Sequence, residues 1–121
     1  MQYACLVYFD PRKVFDRSPE GEAVLRDCMD PDNELRASGC VVWETPLDLP
    51  EQAMTLQVRN GKMSTTDGPF METREVLGGI VVLEARDLNE AVRIGAKIPL
   101  ARIGSVEVRP LVDHSRPRPV L

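Results

Sequence analysis

Three carboxylates stand close together in one polar segment of the chain, residues 66–75. Asp67, Glu72 and Glu75 could together transfer a proton or bind a cation. Of these we predict Asp67 and Glu72 as the catalytic residues, and Phe70 as a ligand contact. The alternative is a structural turn with a solvated acidic surface, in which Asp67 caps the turn and Phe70 fills the core.

A second charged group lies closer to the C-terminus. Glu107 and Arg109 share one side of an alternating segment whose other side carries Val106 and Val108, and Arg102 precedes that segment. The planar guanidinium of arginine can hold a carboxylate ligand through two parallel hydrogen bonds. We therefore predict Arg102, Glu107 and Arg109 as ligand-binding residues. Cross-strand ion pairs are the plain alternative.

The residue sets that several common reactions require are absent from the sequence. The single histidine, His114, lies near the C-terminus, and the three cysteines are widely spaced. Neither a Ser-His-Asp set nor the ligand spacing of a zinc site is therefore present, and no glycine-rich phosphate loop occurs. We predict no metal and no cofactor. The cysteines are interpreted as small buried hydrophobes in a reduced, cytoplasmic setting.

Composition limits the class of protein. The chain has 121 residues with 43% hydrophobic residues, which is typical of one globular domain. A net charge of −4 and the lack of a dense Lys/Arg stripe argue against nucleic-acid binding. No apolar run approaches the roughly 20 residues of a membrane helix. We predict a domain over residues 1–112 and a flexible, proline-rich tail over residues 113–121.

The elements that must position the charged groups are predicted from hydrophobic periodicity. Residues 2–9 and 76–85 are apolar on both alternating faces, which is typical of central strands. The other predicted elements are a helix over 19–38 broken at Pro31, a strand over 40–47, a hairpin over 54–65 that turns at Asn60-Gly61, a helix over 88–98 and a strand over 105–110.

Without the hairpin, this order is βαββαβ, the ferredoxin-like plan, in which both helices cover one face of an antiparallel sheet. The predicted fold class is therefore α+β, ferredoxin-like, with an inserted β-hairpin. One of the two alternating rows of residues 2–9 must lie on the uncovered face. Monomers rarely expose such an apolar patch. A second copy packed face to face would bury it, which predicts a homodimer with a cavity between the sheets.

Two segments make the chain resemble a known family. They are Asp67–Glu75 (DGPFMETRE), followed by Leu77-Gly78-Gly79, and residues 102–110 (RIGSVEVRP). With the opening QYACLVYF and the turn RDLNEA, they resemble the YCII-related family, and within it the branch named for its Asp-Gly-Pro-Phe motif. The resemblance covers about residues 1–112. It implies a dimeric α+β barrel.

The same resemblance says less about activity. Most members look uncharacterised, and some appear beside genes for alternative sigma factors. Some broader relatives resemble small catalysts with a His-Asp pair, a pattern from which this chain departs because His114 is its only histidine.

We therefore expect a dimeric protein that binds a small polar organic ligand, in a regulatory or stress-associated role. The site is expected where residues 67–75 meet the cavity side of the final strand. The alternative is a small cofactor-free enzyme whose loop carboxylates perform acid–base chemistry on an organic acid or ring compound. A purely structural partner protein would use only the dimer surface.

Overall fold

The computed structural model describes residues 1–118, which form two antiparallel sheets and a layer of short helices. The strands are β1 (Gln2–Phe9), β2 (Val41–Pro46), β3 (Met54–Arg59), β4 (Lys62–Asp67), β5 (Val76–Glu84) and β6 (Ser105–Pro110). The helices are α1 (Pro11–Val14), α2 (Pro19–Met29), α3 (Glu34–Ala37) and α4 (Leu88–Gly95), with single 3-10 turns at Pro50–Gln52 and Pro99–Arg102. The mixed α+β class predicted from the sequence is confirmed.

The larger sheet has four strands in the order β2-β5-β1-β6, and every neighbouring pair is antiparallel. The two runs that are apolar on both faces, β1 and β5, occupy the centre of this sheet, as predicted. Neighbouring strands pair the backbone of a central strand along both edges, and a strand that is apolar on both faces is typical where both faces of the sheet are covered.

The helices cover only one face of the four-stranded sheet. On that face β1 contributes the row Tyr3, Cys5, Val7 and Phe9, all buried, and the first three of these pack in one core cluster with Leu83 of β5. The opposite row of β1, Ala4, Leu6 and Tyr8, is half-buried on the open face. Periodicity alone had left open which row lies on which face, because both rows are apolar.

The first helical region breaks at the predicted place. Ser18 caps α2 by accepting a hydrogen bond from the backbone N–H of Gly21, and α2 ends at Met29, just before Pro31. The chain also forms α1 directly after β1, a turn that the sequence analysis did not predict. There Asp10 is the N-cap and Pro11 the first helical residue. The second long helix is shorter than predicted, since α4 ends at Gly95 and not at Ile98.

Arg36 ties three elements of the helical side together. Its guanidinium donates to the Glu44 carboxylate on β2, with Nη2–Oε1 at 2.7 Å and Nε–Oε2 at 3.2 Å. It also donates to the backbone oxygens of Cys28, at the end of α2, and of Asp30. These hydrogen bonds satisfy carbonyl groups that a helix end leaves unpaired.

The smaller sheet is a hairpin of β3 and β4, which we call the arm (residues 54–67). The turn predicted at Asn60-Gly61 is confirmed, because both residues have positive φ, 53° and 75°. This is the geometry of a type I′ turn. Strand β4 runs further than predicted, to Asp67, so Asp67 ends a strand and does not belong to the loop.

Residues 111–118 follow β6 and are exposed, and His114 is among them. The last three residues of the predicted tail, 119–121, lie outside the described residues. Among the helices of residues 1–118, none has both the length and the apolar character that crossing a membrane requires.

Candidate functional site

The segment after the arm, residues 68–76, is held in a sharp bend at its first residue. Gly68 has φ +97°, a conformation that a side chain would strain. Its N–H donates to the carbonyl oxygen of Ala53 at 2.8 Å, and its own carbonyl accepts from the Thr55 hydroxyl at 2.9 Å. These two bonds tie the start of the segment to the start of β3. The bend at Gly68 is therefore held by hydrogen bonds of both its N–H and its carbonyl group.

One side of this segment borders a polar groove with a volume of about 450 Å³. Asp10 lies in the groove at the end of the central strand β1, and the residue is only 4% exposed. Its carboxylate accepts hydrogen bonds from the backbone N–H of Arg12 at 3.0 Å and from Arg12 Nε at 3.4 Å. The backbone hydrogen bond from Arg12 is the largest cause that lowers the pKa of Asp10 below its usual value.

The charges around the polar groove are unequal. Asp10, Glu51 and Glu72 contribute three carboxyl groups, whereas Arg12 and Arg74 contribute two guanidinium groups. Arg12 is paired with Asp10 at 3.4 Å. Within residues 1–118, Arg74 has no carboxylate within salt-bridge distance. The groove therefore carries one carboxyl group more than it has guanidinium groups.

The other side of the same segment borders an apolar groove of about 610 Å³. Its lining includes Tyr8, Leu47, Leu49, Phe70 and Leu77. The alternative in which Phe70 fills the core is wrong, because Phe70 is 74% exposed. Pairing also places Tyr8 directly opposite Leu77, so these two side chains share one sheet face.

The two grooves share a wall. The residues that line both of them are Pro50, Pro69, Met71, Thr73 and Val76. A molecule that lies across this wall would meet three carboxyl groups at one end and, at the other, mainly aromatic and aliphatic side chains with the single carboxyl group of Asp48. The local chemistry therefore suits a ligand that has one polar and one apolar part.

The structure brings only some of the predicted site residues together. Glu72 lies in the polar groove and Phe70 in the apolar groove, on the two sides of one segment. Asp67 is exposed at the end of β4, opposite Met54, and lines neither groove. Glu75 accepts a hydrogen bond from the hydroxyl of Ser105 at 2.8 Å, which joins the segment to the start of β6.

The three residues predicted to bind a ligand near the C-terminus are divided between two faces. Glu107 pairs with Leu6 of β1, so Glu107 and Arg109 lie on the open face, and Arg109 Nε contacts Glu107 Oε2 at 2.6 Å. Arg102 lies in the helical layer, where its Nη2 contacts Asp27 Oδ2 at 2.6 Å. Arg102 therefore does not join the set on the open face.

A third cavity, of about 490 Å³, lies on the helical side between the helices and strands β2 and β5. Its lining is mostly apolar, and it includes the charged pair Arg36 and Glu44. These two groups bind each other and the ends of the helices, so they are already satisfied. This cavity offers a ligand apolar surface but no free polar partner.

In the part of the chain that the structure describes, no three His, Cys, Asp or Glu side chains are grouped closely enough to hold a metal ion. Burial raises the pKa of the Cys5 thiol to about 11, so this cysteine is a poor nucleophile.

The sequence analysis missed Asp10 as a site residue. The predicted strand ends at residue 9, and Asp10 was not among the predicted site residues. A signal was present, because a carboxylate that follows directly after a central strand stands at the edge of the sheet, where side chains from loops converge. Tyr8, two residues earlier, was placed on a sheet face but was not connected to the loop.

Comparison with known proteins gives two matches that cover nearly all of the chain. The family described as the YCII-related domain matches residues 1–115 of the chain. An uncharacterised protein of Rhizobium meliloti (strain 1021) is 33% identical over 114 residues, which are 92% of each chain.

Proposed function

The chain belongs to the YCII-related family, and we propose that it works as a homodimer that binds a small organic molecule across the wall between the two grooves. The observation that carries this proposal is the shared wall itself. Residues 69–76 separate a groove with three carboxyl groups from a groove lined mainly by aromatic and aliphatic side chains, in which Asp48 is the one carboxyl group. Small-molecule sites commonly combine mainly apolar walls with a few convergent polar groups.

The polar part of the ligand is a cation or a hydrogen-bond donor. Glu51 and Glu72 are exposed and accept no hydrogen bond from other described residues, and Arg74 is the cation of the groove that forms no ion pair among them. An ammonium group would bring the number of cations level with the number of carboxylates. A carboxylate ligand would add like charge to the groove, although Arg74 could still bind it.

The apolar part of the ligand lies against Tyr8, Leu77 and Phe70. Tyr8 and Leu77 also belong to the open face of the four-stranded sheet, together with Leu6, Ile80 and Val82. The apolar groove is therefore continuous with the face that a second copy would cover. In the dimer this groove becomes part of a cavity between two sheets.

The dimer proposal rests on that open face. The strand order β2-β5-β1-β6, with helices on one side only, supports a ferredoxin-like arrangement with the arm inserted between β2 and β5. Trp43, 53% exposed, lies opposite Val82 and extends the apolar surface to the edge strand. An aromatic side chain of this size is enriched in the centres of interfaces. Two such faces packed together would form the dimeric α+β barrel.

We further propose the finer assignments that the motifs support. The string Asp67–Phe70 supports membership of the branch named for that motif, and a domain over residues 1–112 is part of the same proposal. Cys5, Cys28 and Cys40 are free thiols, which supports a reducing, cytoplasmic compartment. A regulatory or stress-associated role is proposed for the dimer.

A thermal-shift series with three matched probes tests the binding site. The probes 4-phenylbutylamine, 4-phenylbutanol and 4-phenylbutyrate share one apolar body and differ in the charge of the polar end. We expect the amine to raise Tm most and the acid least. Equal shifts for all three, or no shift, would contradict the proposed site.

Two exposed side chains provide a matched pair of variants for this experiment. Phe70→Ser removes an apolar wall of the groove, and Met29→Ser removes an equally exposed side chain on α2, far along the chain from the groove. The Phe70 variant is expected to lose the shift with the amine, and the Met29 variant is expected to keep it. Glu72→Gln should reduce the preference for the amine over the acid.

Acid–base catalysis by Asp67 and Glu72 stays a prediction. Asp67 lines neither groove, and the lowered pKa of Asp10 makes that carboxylate a weaker base than an ordinary aspartate.

A further inference from the structure

We infer that the arm, residues 54–67, docks against a second copy of this chain through one apolar face. The inference rests on the proposed homodimer and adds a second contact surface to it. The open sheet face alone would leave the arm without a partner. An isolated two-stranded hairpin is at best marginally stable in water, so an arm of this kind needs further packing.

The register of the arm places all of its large apolar side chains on one face. Residues directly opposite each other share a face, and Val58 pairs with Met63 while Leu56 pairs with Thr65. The face that contains them, which we call the apolar face, consists of Met54, Leu56, Val58, Met63, Thr65 and Asp67. The other face consists only of polar residues: Thr55, Gln57, Arg59, Lys62, Ser64 and Thr66.

The apolar face is uncovered in the single chain. Met54, Leu56, Val58 and Met63 are all more than half exposed, between 55% and 68%. A sheet with one apolar and one polar face normally packs the apolar face against another layer. Within residues 1–118 no layer lies over this face.

The surface area of the chain agrees with a missing partner. The chain exposes 8915 Å², whereas a compact monomer of this mass exposes about 6,500 Å². The exposed segment 111–118 contributes to the excess, and the arm contributes with both of its faces. A stable interface buries about 800 Å² on each partner, so the excess is large enough to include one.

The charge of the arm favours a second copy over other partners. Arg59 and Lys62 flank the turn, and residues 54–66 contain no Asp or Glu. The arm also includes Asp67, so its formal charge is +1 and the other residues carry −5. Arg59 and Lys62 lie on the polar face, so their charge favours the approach of the arm to the acidic body of a second copy, and the contact itself is made by the apolar face.

Docking in this way changes the surroundings of Asp67. Asp67 lies on the apolar face beside Met54, and it lines neither groove of its own chain. Its carboxylate would then face the second copy. Asp67 can therefore contact a ligand only where the two copies meet, and the complete site would contain residues of both.

Two substitutions on neighbouring residues of β3 test the inference. Leu56→Asp places a charge in the centre of the apolar face, and Gln57→Asp places the same charge on the polar face one residue away. Both positions are exposed in the single chain. We expect the dissociation constant of the dimer, measured by sedimentation velocity, to rise by about 100-fold or more for Leu56→Asp and by less than about 3-fold for Gln57→Asp.

The outcomes separate this inference from the dimer proposal. If the wild-type protein has the 13.5 kDa mass of one chain at micromolar concentration, the proposed dimer itself fails. If the wild-type protein is a dimer and both variants dimerise with wild-type affinity, the dimer stands and the docking of the arm is wrong. In that case the apolar face must have another occupant.

A measurement on the unmodified protein guards against a variant that fails to fold. Hydrogen exchange of the amides in residues 54–66 should slow at least about 10-fold when the protein concentration is raised from below to above the dimer dissociation constant. The amides of β1 are the internal reference. Equal exchange of the arm at both concentrations would overturn the inference.

Discussion

Strands β3 and β6 have the same length and the same alternation of apolar and polar residues. Their apolar side chains nevertheless lie in opposite environments. In β6, Val106 and Val108 are partly buried and pack against the core. In β3, Leu56 and Val58 are 61% and 55% exposed. The difference comes from the neighbours of each strand, since β6 pairs with the central strand β1 and β3 pairs only with β4. Alternation therefore determines which residues share a face, but not what covers that face.

The largest expected effect compares two leucines, one in each sheet. Leu83 is fully buried in β5, so Leu83→Ala should lower the free energy of unfolding by about 2–5 kcal/mol. Leu56→Ala in the arm should cost less than about 0.5 kcal/mol in the isolated chain, as for other surface sites. Urea denaturation at several protein concentrations measures both values.

The concentration series sharpens the comparison. The decrease in the free energy of unfolding caused by Leu83→Ala should be the same at every concentration. The decrease caused by Leu56→Ala should grow as the dimer forms, because a docked arm would bury Leu56. A large cost of Leu56→Ala at the lowest concentration would mean that the arm is covered within its own chain.

A second comparison uses one glycine from each sheet. In β5, a Cβ atom on Gly78 would lie 1.9 Å from the ring of Phe9, which is itself packed edge-on against Phe15. Gly78→Ala should therefore cost about 1–3 kcal/mol through overpacking. In the arm, a Cβ on Gly61 would meet open space, so Gly61→Ala should cost only the strain of its positive φ, about 1 kcal/mol.

The two glycine variants also differ in what they disturb. Gly78→Ala should change the near-ultraviolet signal of the aromatic residues, because it displaces the Phe9 ring. Gly61→Ala should leave that signal unchanged and should speed hydrogen exchange only within the arm. Equal spectra for the two variants would contradict the packing described around Gly78.

The smallest effect concerns pH and compares Asp10 with Asp67. The pKa of Asp10 is lowered from 3.8, so its carboxylate stabilises the folded state above that pH, and this contribution is lost as the pH falls through the lower folded value. In the Asp10→Asn variant, Tm should fall less steeply than in the wild type as the pH is lowered. Asp67→Asn is the matched control, because Asp67 accepts no side-chain hydrogen bond among the described residues. Acid titrations of Tm that coincide for wild type and Asp10→Asn would contradict the role of this carboxylate as a cap.

Much of the scaffold was predictable from local sequence. The turn at Asn60-Gly61 was predicted because both residues tolerate positive φ, and both have it. The last long helix was predicted to begin at residue 88, and it does, with Asp87 as a cap that accepts a hydrogen bond from the N–H of Glu90. Each of these features depends on residues only a few positions apart, so the chain specifies them before any tertiary contact forms.

The candidate site was predictable only in part. The polar segment after the arm does border both grooves, and Glu72 and Phe70 lie where a ligand could meet them. Sequence spacing could not show that Arg102 is in the helical layer with Asp27 while Arg109 is on the open face. The two arginines are only seven positions apart, but a 3-10 turn and a strand place them on opposite sides of the sheet.

The sequence by itself determined the identity of the elements, the central position of β1 and β5, and the alternation that divides each strand into two faces. These follow from local backbone preferences and from hydrophobic period. Tertiary structure decided which apolar row of β1 is buried, that Asp10 is enclosed at the end of β1, and that the apolar face of the arm is left uncovered. Each of these depends on which distant element packs on a surface. Burial is favourable for both apolar rows, Cys5/Val7 and Leu6/Tyr8, so the side on which the helices pack decides which row is buried.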